Sequence, residues 1–361
     1  MTWRCGASIA LATVVLLGAG ASGPEPGAAD RAAAGEVEVV EVHFAMSTPV
    51  RIAARGSAEA PVRAAVRAAF AEIRRLEDIL STFDPGSDAS RVNRSSGGEP
   101  VAVAAELAEL LGRSRSLSLR TGGAFSVLVG PLVETWRAAV ATGRTPEPAQ
   151  IERALALARP DLVTIDGLRV RMAATGMRID LGGIAKGFAA DRALDRLRTK
   201  GASAAIVDLG GSSIAAFGDA GDGESGWPVA IPNAEPADAG DPWSGGVLRL
   251  RDGALSTSAT YGRSLVPGSG RGHIVDPRTG RLLEADAMAI VRHPAATDAE
   301  ALSKALLILG DEAAPVLRAA DAEGLLIDAA ARARCTPGFR SIARGCTVLR
   351  PRKVPLDTRR G

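Results

Sequence analysis

The chain has 361 residues, of which 46% are hydrophobic and 23% charged, the balance of a folded globular protein with room for one large domain or two ordinary ones. Its 43 basic and 41 acidic residues leave a net charge of +2. That is too weak a field for nucleic acid or an anionic membrane to be the main partner, and it directs attention to a small molecule or another protein.

In chain order, Arg4, the apolar run Ile9 to Leu17 and the small residues Gly18-Ala19-Gly20-Ala21 predict a secretory signal cleaved after Ala21. The apolar run is shorter than the ~20 residues of a membrane span. Export then predicts an extracytoplasmic protein, periplasmic or secreted, with no stable membrane span. Cleavage leaves Cys335 and Cys346, an even pair that suits a disulfide in such a compartment.

Residues 22–36, rich in Gly, Ala and Pro, read as a flexible leader before a first strand over residues 37–44. Val62, Val66, Phe70, Ile73, Leu76 and Leu80 recur at three- and four-residue steps among charged residues, which predicts a helix with one buried face. A second helix is predicted from Ala104 to Arg120, closed by Gly122-Gly123. Another follows Lys186 and stops at Gly201, and a last one runs from Asp298 to Leu309 before Gly310. Strands are predicted over 204–209, 229–231 and 247–250, with a surface loop over 233–246. Helix and strand alternate along the whole chain, so the fold class is mixed α/β (α+β).

The stretch richest in chemistry is Arg178-Ile179-Asp180-Leu181-Gly182-Gly183-Ile184-Ala185-Lys186-Gly187, followed after a helix by Asp208-Leu209-Gly210-Gly211. A glycine turn at a helix start brings backbone N–H groups to an anion, and the helix dipole and a lysine add attraction. The spacing fits neither G-x-G-x-x-G nor the Walker loop. On these residues alone a phosphate cradle and a tight strand-to-helix turn both remain open.

Further segments join this one in a fixed order: Met46-Ser47-Thr48; Ser81-Thr82-Phe83-Asp84-Pro85; Thr121-Gly122-Gly123-Ala124-Phe125-Ser126; Ser258-Ala259-Thr260-Tyr261; and His273-Ile274-Val275-Asp276-Pro277-Arg278-Thr279-Gly280. Together they resemble the ApbE family of FAD:protein FMN transferases over residues 37–342, leaving 343–361 as a tail. The resemblance implies a two-subdomain fold with a FAD site between the subdomains. It also implies transfer of FMN from FAD to a Thr or Ser hydroxyl of an exported target protein, release of AMP, and assistance by Mg2+. By position, Met46, Phe83, Ala124, Phe125, Ser126, Asp180, Lys186 and Val275 are its expected nucleotide contacts. Phe83 stands where the family usually has Tyr and Ser126 where it usually has Asp.

His273 and Asp276 fall in the family's H-x-x-D-P segment. His273 is a candidate base for the target hydroxyl, since an imidazole titrates near working pH; hydrogen bonding of the Asp276-Pro277 turn is the competing reading. The metal segment departs from the family's D-A-D-A-L-S-T-A-L, reading Asp298-Ala299-Glu300-Ala301-Leu302-Ser303-Lys304-Ala305-Leu306. Glu300 replaces an acidic ligand and Lys304 a Thr ligand, and an ammonium cannot coordinate magnesium. Three outcomes are open at this point. Lys304 supplies the metal's charge as part of the catalytic set; or FAD is bound without efficient transfer; or Asp298, Glu300 and the Gly183 carbonyl still recruit a cation. A FAD store and a FAD pyrophosphate hydrolase are the rival activities.

Overall fold

The computed structural model describes residues 36–231 and 246–349 apart from 263, 271, 331 and 341–346. The expected signal, most of the leader, nearly all of the 233–246 loop and the end of the tail lie outside them. Among the described residues no helix is long and apolar enough to cross a membrane.

Strands β1 (Val37–Ala45) and β2 (Thr48–Gly56) form a hairpin whose two turn residues, Met46 and Ser47, both take positive φ (50° and 60°). Such a turn matches the right-handed twist of the strands it joins. Helices α1 (Glu59–Leu80) and α2 (Asp88–Arg94) follow, then β3 (Val101–Ala102), α3 (Ala105–Arg120), α4 (Gly130–Ala141) and α5 (Pro148–Leu157). Next come β4 (Val163–Asp166), β5 (Arg169–Met172), α6 (Ala185–Thr199), β6 (Ala204–Leu209), β7 (Ser213–Phe217), β8 (Trp227–Ile231), β9 (Gly246–Leu250) and β10 (Gly253–Ala259). The chain closes with β11 (Met288–His293), α7 (Ala296–Leu309), α8 (Ala313–Ala319), β12 (Glu323–Ile327), β13 (Ala333–Cys335), α9 (Pro337–Arg340) and β14 (Thr347–Val348).

Nine strands make the main sheet in the order β1-β2-β6-β7-β10-β11-β12-β13-β14, antiparallel except for the last pair. Alternate residues point to opposite faces. Val50, Ile52, Ala54, Ala205 and Val207 join the core under α1 and α6, whereas Ala53, Ala204 and Ile206 face a second core closed by the β8–β9 ribbon and Phe339. Both faces are covered, which is why β6 is buried at every position. Helices α7 and α8 cover Ala289, Val291 and Leu326 farther along the sheet.

A separate small core joins Leu132, Val133 and Trp136 of α4 and Ala154 of α5 to Leu265, Val275 and Leu282 of the long β10–β11 connection. The Trp136 indole N–H donates to the Gly280 carbonyl at 2.7 Å and pins this connection to α4. Gly280 needs its positive φ (68°) and its missing side chain here, because a Cβ would lie 2.5 Å from Ile151 Cγ2. Cys335 is disulfide-bonded; its expected partner, Cys346, lies outside the described residues.

Candidate active site

A cleft of about 390 Å³ opens between the small core and the α6–α7 end of the main body. That size and position suit a small-molecule site. The main body contributes Phe125, Ser126, Asp180, Gly182, Gly183, Lys304 and Ile308; the small core contributes Val129, Val133, Arg137, Leu265 and the segment from His273 to Val275.

The floor is built by backbone clamps. Asn93, buried on α2, donates to the Ile179 carbonyl at 3.0 Å and accepts from the Ile179 N–H at 2.7 Å, and the Asp180 N–H reaches the Val127 carbonyl at 2.7 Å. The chain before α6 is thereby fixed, and Asp180 accepts from the Gly182 N–H at 2.8 Å to shape the glycine turn. Thr121 ties down the neighbouring turn by accepting from the Phe125 N–H at 3.1 Å, and the Ser126 hydroxyl accepts from the Leu128 N–H at 3.1 Å. Phe83 stands 86% exposed at the mouth, an apolar ring open to a planar partner.

Of the expected residues, Phe83, Ala124, Phe125, Ser126, Asp180, Gly183, His273, Val275 and Lys304 line the cleft. Five do not. Met46 sits in the left-handed β1–β2 turn, its N–H donating to Glu77 at 2.8 Å, and packs against the core under α1. Lys186 turns from the cleft to Glu300, with Nζ 3.2 Å from Oε1. Asp276 accepts two bonds from the Arg278 guanidinium (3.0 and 2.9 Å) and one from the Arg278 N–H (2.9 Å), so it builds the turn and is not placed as a catalytic group. Asp298 is drawn to Arg113, at 2.6 Å.

Glu300 is the fifth, 1% exposed, with the Gly187 N–H at 2.6 Å on one oxygen and Lys186 and Lys304 each at 3.2 Å on the other. Burial opposes its ionisation most strongly, but the charges of Lys186 and Lys304 and the Gly187 N–H outweigh burial and hold the carboxyl below its usual range. Asp208, which ends β6, shows the reverse: burial pushes it up to about 6, against the Gly211 N–H at 2.7 Å and the charge of Arg51.

Arg137 was not among the expected residues, yet it brings a second cation to the cleft. Val133 and Arg137 lie one turn apart on α4, with Val129 at its N-cap one turn before them, and that four-residue spacing is the signal that identifies Arg137.

An acid-anchored glycine turn at a helix start, an exposed aromatic and cations around one cleft define a protein that binds an anionic, aromatic ligand such as a nucleotide. The chain belongs to the ApbE family, which it matches over residues 46–326. It is 31% identical over 333 residues to the FAD:protein FMN transferase of Treponema pallidum, covering 86% of each chain. It superposes on the ApbE protein of Thermotoga maritima with a TM-score of 0.74 at 28% identity, covering 85% of this chain and 100% of that one. The apo flavinyl transferase ApbE of Pseudomonas stutzeri, at 24% identity and a TM-score of 0.72 over 87% of this chain and 98% of its own, shares the fold.

Proposed function

We propose that this chain transfers FMN from FAD to a Thr or Ser hydroxyl of an exported target protein. The observation that carries the reading is the meeting of Asp180, Phe125, Ser126, His273 and Lys304 in one cleft between two cores, in a chain of this family. The target hydroxyl attacks the phosphorus on the FMN side of the pyrophosphate. A new P–O bond forms as the bond to the bridging oxygen breaks, and AMP leaves with that electron pair. The hydroxyl proton passes to the His273 imidazole on the small-core wall. The glycine turn and the cationic side chains hold the phosphates in line, which is most of what phosphoryl transfer asks of a protein.

Magnesium does not fit the residues present. It needs hard oxygen donors in a tight octahedron, whereas a cation at Glu300 would meet the ammonium groups of Lys186 and Lys304, each 3.2 Å from the same carboxylate oxygen, and Asp298 is paired with Arg113. Among the described residues no group of three or more His, Cys, Asp or Glu could hold a metal. An extracytoplasmic place of work is supported by the signal pattern and by the disulfide at Cys335, a bond that persists in oxidising compartments.

The test is incubation with FAD and an exported flavin-carrying acceptor, followed by separation of AMP, free FMN and flavinylated protein. Equimolar AMP and flavinylated acceptor is the expected result. AMP with free FMN would make the protein a hydrolase, and bound, uncleaved FAD a flavin store.

A further inference from the structure

The Lys186–Glu300–Lys304 cluster sets two ammonium groups against one carboxylate. Both Nζ atoms lie 3.2 Å from the same Glu300 oxygen, so the cluster keeps an excess of positive charge. Lys304 is the member that lines the cleft. Its stem lies along the glycine turn, with Cε and Cδ 3.4 and 3.6 Å from where a Gly183 Cβ would stand. Ile308, one turn farther along α7, lines the cleft beside it, so this face of the helix is turned to the ligand.

We propose that the Lys304 ammonium is the resident counter-charge for the FAD pyrophosphate, so that this chain binds FAD without a divalent metal. The inference rests on the flavin reading above and goes beyond it, assigning the phosphate-neutralising charge to a side chain of this protein. Glu300 holds Lys304 in place and is itself closed to a metal. A divalent ion drawn to its carboxylate would meet two ammonium groups at bonding distance, and Asp298 faces Arg113. Lys186, which does not line the cleft, is a positioning residue: it keeps the carboxylate ionised as a partner for Lys304.

The experiment is calorimetric titration of the mature protein with FAD and with riboflavin, which lacks phosphate, in magnesium and in EDTA. Wild-type protein, Lys304→Met and Lys304→Arg are compared. Expected is a wild-type FAD affinity equal within about twofold in the two buffers. Lys304→Met should lose roughly ten- to a hundredfold for FAD, the range of one charge-assisted hydrogen bond, while riboflavin binding is unmoved. Lys304→Arg should keep most of the FAD affinity.

The chelator arm needs no variant to fold. A loss of about tenfold or more for wild type in EDTA overturns the inference while leaving the flavin reading standing. Equal losses of FAD and riboflavin in Lys304→Met also overturn it, since a structural role would move both. Failure of wild type to bind FAD in either buffer removes the flavin reading and this inference with it.

Discussion

Helices α6 and α7 each lend the other a carboxylate, and the two carboxylates behave in opposite ways. Asp191 of α6 accepts from the Ala296 N–H (2.7 Å), the Thr297 N–H (2.9 Å) and the Thr297 hydroxyl (2.5 Å) at the start of α7. Glu300 of α7 accepts from the Gly187 N–H (2.6 Å) in the first turn of α6. Neither helix has a capping side chain of its own at its N-cap residue, Ile184 or Ala295, so each start is satisfied across the interface. Burial raises Asp191 above the usual carboxylate range despite its bonds to Thr297 and Ala296 and the charge of Arg113, whereas Lys186 and Lys304 bring Glu300 below it. A shared hydrogen-bonding task does not fix a carboxyl's proton affinity; the cations at bonding distance do. The end of the interface with that excess of cations is the end that opens to the cleft.

The largest effect should come from removing the charge that holds the cationic cluster. Glu300→Gln leaves two ammonium groups close together without their counter-ion, and about 3–5 kcal/mol of stability should be lost, the cost of breaking one partner out of a buried pair. Urea unfolding measures it. Adding Lys304→Met should return part of that loss, because one orphaned charge goes with it; a double variant as unstable as the sum of the single changes would show that Lys304 and Glu300 are not coupled.

The reciprocal capping also requires the helices to cross closely. A Cβ on Gly187 would stand 2.6 Å from the Ala296 carbonyl carbon and 2.9 Å from Thr297 Cα, both backbone atoms that cannot swing aside. Gly187→Ala should therefore cost about 3 kcal/mol by forcing the helices apart. Thermal unfolding gives the size of the loss, and FAD titration should show weakened binding, since Gly183 and Lys304 lie on opposite sides of the same crossing. A melting temperature equal to wild type would mean the crossing is looser than the geometry requires.

How much of this is legible in the sequence depends on whether the signal is local. The amphipathic run of α1, the glycine stop of α3 and the apolar run of β6 carry their own periodicity or punctuation, and the structure has α1 at Glu59–Leu80, α3 at Ala105–Arg120 and β6 at Ala204–Leu209. Strands β7, β10, β11 and β12 were not marked, because their pairing is set by neighbours far along the chain. The glycine turn was legible as an anion cradle only with the family resemblance beside it. Two partners were not legible at all: Arg113 lies 185 residues before Asp298 and Lys186 lies 114 before Glu300, whereas Lys304, one helical turn after Glu300, and Arg278, beside Asp276, are local. A motif shows which residue types are present, whereas a side chain's direction follows from the cation it meets in the fold.

The smallest effect, and the one that sharpens the comparison most, is its pH dependence. Asp191→Asn keeps one acceptor oxygen but turns an amide donor toward N–H groups, which should cost about 1 kcal/mol at neutral pH, as for loss of a helix cap. Wild-type Asp191 has its folded pKa raised, so the folded state holds its proton more tightly than the unfolded one. That contribution is present in full below the unfolded value of 3.8 and is lost as pH rises through the folded value. The wild type therefore gains on acidification what the uncharged variant cannot, and the cost of Asp191→Asn should grow as pH falls. Glu300 runs the other way. Its folded pKa is lowered from 4.5, so its contribution is present above 4.5 and lost as pH falls toward the folded value, and the cost of Glu300→Gln should shrink. Stability of both variants against wild type at neutral pH and near pH 4 checks the pair of signs. Parallel trends would mean that the two carboxylates share one electrostatic environment and that the cationic excess at the cleft end is not what separates them.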